Sequence, residues 1–184
     1  MRHFLILSRS GQTSSNFTSL REAGRLDLVA QCLTSSIFIS HKTRKDVIVH
    51  IILTGPPNPP IYLRVESSKL YDIRTDEDSW KEILKNVLDN KQHPGFTIFK
   101  KSFQEVIKEL SKEVSQIYIL EEKGINISKE EIKENVLFIL GDHIGLPKKD
   151  ENFALRYGKK LSLGKTKYLA KSCITIINYI LDQK

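Results

Sequence analysis

The chain has 184 residues, of which 40% are hydrophobic and 28% are charged, and this composition is typical of a soluble globular protein. No apolar run approaches the roughly 18 residues that a membrane-spanning helix requires, and the run from Phe4 to Leu7 is too short for the core of a secretory signal. Two cysteines, Cys32 and Cys173, cannot form a disulfide framework or a zinc site by themselves. We therefore expect a cytoplasmic protein with a single domain over residues 1–184.

The net charge is +7 at pH 7, and most of the positive excess lies in the N-terminal part of the chain. Residues 1–74 contain ten Lys and Arg against five Asp and Glu, and they include seven of the eight arginines. Because the planar guanidinium group of arginine suits phosphate well, this distribution indicates a polyanionic partner. A basic solvated surface without a partner is the alternative.

The first half of the chain predicts strands on either side of a helix. "HFLIL" predicts a strand, and apolar residues recur at helical spacing along "GRLDLVAQCLTSSIF". "DVIVHIILTG" is almost continuously apolar, which is typical of a strand covered on both faces. The prolines of "GPPNPP" then end regular pairing, and "IYLRVE" alternates like a strand at the edge of a sheet.

The second half continues the alternation. Helices are predicted at "DEDSWKEILKNVLDN" and after Ser102, which forms a capping-box pattern with Glu105. Strands are predicted at "GFTIFK", "QIYIL", "VLFIL" and "KKLSL", with one or two helical turns at "NFALRYG". The last helix, "TKYLAKSCITIINYILDQK", is expected to bury Leu169, Cys173, Ile176, Ile177 and Ile180. The alternation predicts an α/β domain with a mostly parallel sheet.

Three predicted strands end in loops that suit a ligand. Leu120 precedes "EEKG", Leu140 precedes "GDHIG" and Leu163 precedes "GKTKY". In parallel α/β sheets ligands bind beyond the carboxyl ends of the strands, and glycines there let a ligand approach the main chain. The alternative is that Gly141 and Gly145 only make turns. "GKT" is not a nucleotide-binding P-loop, because five residues rather than four separate Gly158 from Gly164.

Two further segments carry charged candidates. "GRLDL" places Arg25 and Asp27 at the start of a helix, where Asp27 either favours the helix N-terminus or faces a substrate. "SHKTRKD" contains His41, Arg44 and Lys45, which form either a phosphate-contacting surface or a solvated loop. The five histidines show no metal-ligand spacing, so we expect no metal site.

The order of several motifs resembles that of archaeal TrmY proteins, the tRNA pseudouridine N1-methyltransferases of the SPOUT superfamily, which are related to the ribosomal-RNA methyltransferase Nep1. These motifs are "GRLDL", "FISHKTRKDV", "GPPNPP", "FILGDHIGLP", "LSL" and "CITIINYILD". The resemblance implies an α/β SPOUT-type fold whose C-terminal segment forms a deep trefoil knot. It also implies an S-adenosylmethionine cofactor, a homodimer whose sites are completed by the partner's N-terminal region, and methylation of N1 of pseudouridine at position 54 in the T-loop of tRNA.

The resemblance also implies roles for individual residues. Those expected to bind the cofactor are Leu120, Gly141, Leu163, Gly164, Lys165, Thr166, Lys167, Tyr168 and Cys173. The last cofactor loop, "LGKTKYLAKSC", departs from the family pattern, because it lacks the expected proline and histidine and contains Lys167 and Lys171.

Asp27 is the expected acceptor of the N1 proton and Arg25 steadies the base or a phosphate, both acting across the dimer interface on the partner's cofactor. His41, Arg44 and Lys45 are expected to contact the RNA. A Nep1-like enzyme acting on ribosomal RNA and a non-catalytic RNA-binding dimer of the same fold are the two alternative functions.

Overall fold

The computed structural model describes residues 1–183, with a seven-stranded sheet, a two-stranded hairpin and helices on both faces of the large sheet. The strands are β1 (Arg2–Ser8), β2 (Phe38–Ile39), β3 (Lys42–Thr43), β4 (Val47–Leu53), β5 (Ile61–Glu66), β6 (Phe96–Phe99), β7 (Gln116–Asn126), β8 (Val136–Gly141) and β9 (Lys159–Ser162). The α-helices are α1 (Leu26–Ile37), α2 (Glu77–Leu88), α3 (Phe103–Glu113), α4 (Lys148–Ala154) and α5 (Ala170–Asp182). Helices α1, α2 and α5 pack on one face of the sheet, and α3 and α4 pack on the other.

The strand order is β6-β5-β4-β1-β8-β7-β9, and the strands from β4 to β9 in this order run parallel. β1 lies between β4 and β8, and all its residues from His3 to Ser8 are buried. Phe4 and Ile6 contribute to one apolar layer, whereas Leu5 and Leu7 contribute to the other. A strand that is buried on both faces has no face in contact with solvent, which explains the continuous apolar sequence of β1. The prediction of a mostly parallel α/β fold is confirmed.

The prediction that "IYLRVE" forms an edge strand is wrong. It forms β5, which lies antiparallel between β4 and β6, so that the short strand β6 forms the edge. The alternation that suggested an edge comes from Arg64 and Glu66, which are half-buried and lie 3.4 Å apart as an ion pair. Paired charges on one face of an internal strand therefore produced the same pattern as a solvated face.

The helices also differ in detail from their predicted positions. The capping box between Ser102 and Glu105 is present at the start of α3. α4 begins at Lys148, before the segment predicted to be helical. Leu169 was expected to be buried by the last helix, but its side chain is 65% exposed. It is the N-cap residue of α5 and has extended backbone angles, so it does not continue the buried face of the helix that follows.

No helix between Met1 and Gln183 combines the length and the apolarity that are needed to traverse a bilayer.

A chain of buried polar side chains crosses the sheet near the amino ends of its parallel strands. Asn135 donates from Nδ2 to the carbonyl oxygen of Glu113 (2.6 Å), which leaves its Oδ1 to accept from Nε2 of His3 (3.0 Å). Nδ1 of His3 then accepts from Nε2 of His50 (3.0 Å), and the hydroxyl of Tyr62 donates to Nδ1 of His50 (2.7 Å). All four ring nitrogens of His3 and His50 have a suitable hydrogen-bond partner only when both histidines are neutral.

This arrangement predicts that acid destabilises the protein. Burial lowers the pKa of His3 and holds the pKa of His50 well below its ordinary value. Below a pH of about 6.5 the unfolded chain therefore binds more protons than the folded chain, and the free energy of unfolding decreases as the pH falls. We expect a slope of up to about 1.4 kcal/mol per pH unit for each histidine that stays neutral.

Urea unfolding between pH 5 and 7 measures this slope. His50→Gln removes one of the two groups and should reduce the slope, and His3→Gln offers a second variant with the same expectation. His41→Asn changes an exposed histidine with a positive φ of 62°, which asparagine tolerates, and should leave the slope unchanged. An unchanged slope in both of the buried variants would contradict the proposed cause.

Candidate functional site

A bulge within β7 and the loops that follow β8 and β9 enclose a cavity of about 520 Å³, and we call these segments, in chain order, the first, second and third loops. The prediction that the strand "QIYIL" ends at Leu120 is wrong, because β7 continues beyond the bulge to Asn126. The cavity contains eight of the nine residues expected to bind the cofactor, namely Leu120, Gly141, Leu163, Gly164, Thr166, Lys167, Tyr168 and Cys173. Lys165 lies in the same loop as five of them, but its exposed side chain is not part of the lining. We call this space the first cavity.

Residues 121–124 of β7 form a bulge beside β9. Leu161 is in register with Leu120 and again with Ile125, so the intervening residues 121–124 form an arch beside it. At Gly124 a Cβ atom would lie 2.5 Å from the backbone nitrogen of Leu161, which leaves room for glycine alone. The arch thereby brings the first and third loops together at one end of the sheet.

The loop "GDHIG" after β8 is folded back tightly on itself. At Gly141 a Cβ atom would lie 2.4 Å from the backbone nitrogen of Leu146, so a side chain there would displace the main chain. Oδ1 of Asp142 accepts a hydrogen bond from the backbone nitrogen of Ile144 (2.8 Å), and Oδ2 accepts one from the backbone nitrogen of Arg9 (2.7 Å). Asp142 therefore joins this loop to the chain that follows β1.

Charges of both signs surround the first cavity. Nζ of Lys167 lies 2.7 Å from Oε1 of Glu122, so an exposed ion pair connects the third loop to the first. Burial, with a smaller contribution from the nearby Glu151, raises the pKa of Glu121, which lines the cavity. Burial also raises the pKa of the Cys173 thiol. The lysine that departs from the family pattern at position 167 is thus compensated by a carboxylate.

A second cavity of about 510 Å³ adjoins the first. It lies between the start of α1, the end of β1 and the third loop, and Arg25 and Leu28 are part of its lining. The two cavities share four residues, namely Asp142, His143, Tyr168 and Ala170. A ligand in the first cavity would therefore be in direct reach of a group in the second.

Arg25 and Asp27 form a two-pronged ion pair at the start of α1. Nε and Nη2 of Arg25 donate to Oδ1 and Oδ2 of Asp27 at 2.9 and 3.0 Å. The hydrogen bond from Arg25 holds the pKa of Asp27 below its usual range, although burial opposes the shift, so the carboxylate is ionised at neutral pH. Asp27 borders a third cavity of about 200 Å³, together with Trp80 and Lys171.

The backbone at this pair has an uncommon conformation. Gly24 and Arg25 both have a φ of 66°, in the left-handed region that side chains rarely adopt. At Gly24 a Cβ atom would lie 1.7 Å from the carbonyl oxygen of Ser10, so the turn is held against the loop after β1. Non-glycine residues held in this region cluster at functional sites, which is consistent with a role for Arg25.

A sequence family described as "Putative SAM-dependent RNA methyltransferase" matches residues 1–184. The chain belongs to this RNA methyltransferase family. It is 37% identical over 202 aligned residues to the tRNA (pseudouridine(54)-N(1))-methyltransferase of Pyrococcus abyssi, with 100% of this chain and 98% of that protein covered. It is 33% identical to the enzyme of the same name from Methanocaldococcus jannaschii, again over 202 residues and with 100% and 98% covered.

The solved structure of Archaeoglobus fulgidus Nep1, bound to S-adenosylhomocysteine, has the same fold. Its TM-score is 0.69 with 11% sequence identity, and the superposition covers 99% of this chain and 97% of Nep1. The resemblance to a methyltransferase family that the motifs indicated is thereby confirmed.

The first cavity suits the cofactor of this family. Its volume lies within the range of small-molecule sites, and Gly141 allows the main chain to approach a ligand closely. S-adenosylmethionine carries a cationic sulfur, an ammonium and a carboxylate, and the lining offers both the carboxylate of Glu121 and the ammonium of Lys167. Leu120 and Leu163 provide the apolar surface that an adenine ring requires.

The segment expected to contact RNA lies at the other end of the sheet. His41 and Lys45 are exposed there, close to Asp46, whose carbonyl accepts from the backbone nitrogen of Arg2 at the start of β1 (2.9 Å). The guanidinium of Arg44 donates from Nη1 and Nη2 to Asp182 at 2.7 and 2.6 Å, and its side chain is only 12% exposed. This geometry favours a structural role for Arg44, in which it fixes the end of α5, and its contact with RNA stays a prediction.

The sequence interpretation missed several residues that border the cavities. Asp142 and Glu122 each follow a predicted strand end, so the position of their carboxylates beside the loops was a usable signal. Arg9 is not part of either lining, but its backbone nitrogen bonds to Asp142, and it gave no signal because its loop contains serine, glycine and threonine in no regular pattern. The second cavity was also missed, since it depends on how α1 packs against the start of α5.

Proposed function

We propose that this protein transfers the methyl group of S-adenosylmethionine to N1 of pseudouridine at position 54 of tRNA, the reaction named for its relatives. The observation that carries the proposal is the pair of adjoining cavities, one suited to the cofactor and one bordered by Arg25. Membership of the RNA methyltransferase family and identity to those relatives over the whole chain support it.

The cofactor supplies a methyl group on a positively charged sulfur that departs as a neutral thioether. The residues of the first cavity contribute mainly by positioning, which accelerates a transfer by removing the need for the reactants to find each other. Asp142 and His143, in the loop after β8, line both cavities and form part of the wall between them. The ion pair of Lys167 with Glu122 holds the first and third loops together over the site.

The second cavity is the proposed seat of the acceptor base. The base must leave its stack in the RNA loop to enter a protein cavity, as base-modifying enzymes generally require. Asp27 is ionised and is the proposed acceptor of the N1 proton, and Arg25 orients that carboxylate through two hydrogen bonds. Within its own chain Asp27 borders the third cavity and is not part of the lining of the second. This position supports the proposal that Asp27 of a second copy reaches the acceptor base.

A homodimer is also part of the proposal. Tyr168, Leu169 and Tyr179 are 46%, 65% and 65% exposed, and they surround the start and the outer face of α5. Large apolar side chains exposed together mark a surface that another protein covers. Two of them, Tyr168 and Leu169, also line the second cavity, so a second copy seated on α5 would close that cavity.

A trefoil knot at the C-terminus is proposed as well. The arch of residues 121–124 beside Leu161 supports it, because this arch lies against β9, the strand that leads into the C-terminal segment. Beyond the arch, α5 packs on α1, and Asp182 at its end binds Arg44 and Arg2 with distances of 2.6 and 2.7 Å.

An assay with defined RNAs tests the proposed reaction. The enzyme is incubated with labelled S-adenosylmethionine and a tRNA that carries pseudouridine at position 54, and N1-methylpseudouridine is measured by nucleoside mass spectrometry. The same tRNA with uridine at this position should remain unmodified, because uridine has its glycosidic bond where pseudouridine has N1–H. Modification of a pseudouridine-containing ribosomal-RNA hairpin in preference to tRNA would identify a Nep1-like activity. Binding of tRNA without calorimetric binding of S-adenosylmethionine and without transfer would identify a non-catalytic RNA-binding dimer.

Asp27→Asn tests the proposed proton acceptor. The amide keeps the shape of the carboxylate but cannot take the proton, so we expect kcat to fall by a factor of roughly 10² or more. The affinity for S-adenosylmethionine should be unchanged in calorimetry, because Asp27 lies outside the first cavity. Asp78→Asn, an exposed carboxylate that pairs with Lys81 on α2, is the matched control and should keep full activity. Unchanged turnover in Asp27→Asn would remove this residue from the role.

The dimer is tested by charging its proposed surface. Leu169→Glu combined with Tyr179→Glu should convert a dimer of twice the 21.2 kDa chain mass into a monomer in light-scattering measurements. Methyl transfer should decrease with it, because the second cavity loses its cover. Tyr71→Glu, at a tyrosine that is 76% exposed elsewhere, should leave the dimer intact. A wild-type protein of single-chain mass at micromolar concentration would refute the dimer.

A further inference from the structure

We propose that the guanidinium of Arg9 binds a backbone phosphate of the RNA beside the acceptor nucleotide. The identity of the nucleic acid rests on the proposed function, and the proposal adds a positioning residue for that reaction. Arg9 is the first residue after β1 and lies next to Asp142, which lines both cavities.

The backbone of Arg9 is held on both sides. Its nitrogen donates to Oδ2 of Asp142 (2.7 Å), and its carbonyl oxygen accepts from the hydroxyl of Thr54 (3.1 Å). The next residue, Ser10, donates from its hydroxyl to the carbonyl oxygen of Gly24 (2.9 Å). Ser10 is also packed so closely against Gly55 that a Cβ atom there would lie 2.3 Å from its carbonyl oxygen. The position of Arg9 relative to the cavities is therefore fixed by the fold.

The side chain of Arg9 has no such restraint. It is exposed, and within residues 1–183 its guanidinium makes no hydrogen bond or ion pair. Four other arginines of the N-terminal half are paired: Arg2 and Arg44 with Asp182, Arg25 with Asp27, and Arg64 with Glu66. Within residues 1–183 Arg21 and Arg74 are also without an ion pair, but neither is bonded to a residue that lines both cavities. The fold thus fixes the backbone of Arg9, while its guanidinium has no partner within residues 1–183.

The guanidinium of Arg9 forms no ion pair with the neighbouring carboxylate within residues 1–183. The two oxygens of Asp142 accept hydrogen bonds from the backbone nitrogens of Arg9 and Ile144 instead. The guanidinium therefore remains available to an external anion near Asp142, which lines both cavities. An RNA whose base enters the second cavity brings its flanking phosphates to the surface around that cavity, and arginine binds phosphate through two parallel hydrogen bonds.

Salt-dependent RNA binding tests the proposal. The affinity of the full-length protein for a tRNA transcript is measured by fluorescence anisotropy over a range of KCl concentrations. Arg9→Ala should bind roughly tenfold more weakly, and the slope of log K against log salt should decrease in magnitude by about 0.7 to 0.9, the value for one phosphate contact. Arg9→Lys should keep most of the slope, because the charge remains.

Lys112→Ala is the matched control, since it removes an exposed positive charge that has no partner within residues 1–183. Lys112 lies in the last turn of α3, near the amino end of β8 and away from the cavities. It should leave affinity and slope close to those of the wild type. The affinity for S-adenosylmethionine should be the same in all variants. An unchanged slope in Arg9→Ala, or a loss of cofactor affinity without a loss of RNA affinity, would overturn the proposal. Binding is measured without turnover, so this outcome is separate from a failure of the protein to methylate tRNA.

Discussion

The carboxyl ends of parallel strands lie at the same end of a sheet, and this constraint determines where the proposed cofactor-binding and catalytic residues lie. β1, β7, β8 and β9 all run in one direction, so the loops that follow them are forced into one region. The arch beside Leu161 and the carboxylate of Asp142 then bind these loops to one another. Two adjoining cavities result, and each proposed role depends on their shared wall.

Much of the fold and part of the site could be predicted from the sequence, because both depend on local patterns. The apolar runs that stop at Leu120, Leu140 and Leu163 were visible in the sequence, and the structure brings these three positions together around the first cavity, although β7 continues past Leu120. A pattern of this kind reports periodicity and composition over a few residues. It therefore misjudged Leu169, whose exposure depends on where α5 begins, and the strand "IYLRVE", whose charges pair with each other.

The sequence could not show which residues form hydrogen bonds or ion pairs when they lie far apart along the chain. Arg44 and Asp182 are separated by 138 positions, and nothing near Arg44 indicates that its guanidinium will be occupied. The bond between Arg9 and Asp142 spans 133 positions and is equally invisible. The charge excess of the first 74 residues suggests an anionic partner, and this interpretation stays a prediction. Which of its arginines remain available is decided only by the tertiary structure.

The hydrogen-bonded chain of Asn135, His3, His50 and Tyr62 has a consequence for the tolerance of the protein to sequence change. It ties β1, β4 and β5 to the residue before β8 through bonds that all point one way, so any replacement within it disturbs several neighbours. It lies towards the amino ends of these strands, whereas the cofactor loops lie at their carboxyl ends. The loop "LGKTKYLAKSC" lies at that second end, so its sequence can differ from the family pattern without disturbing these buried hydrogen bonds.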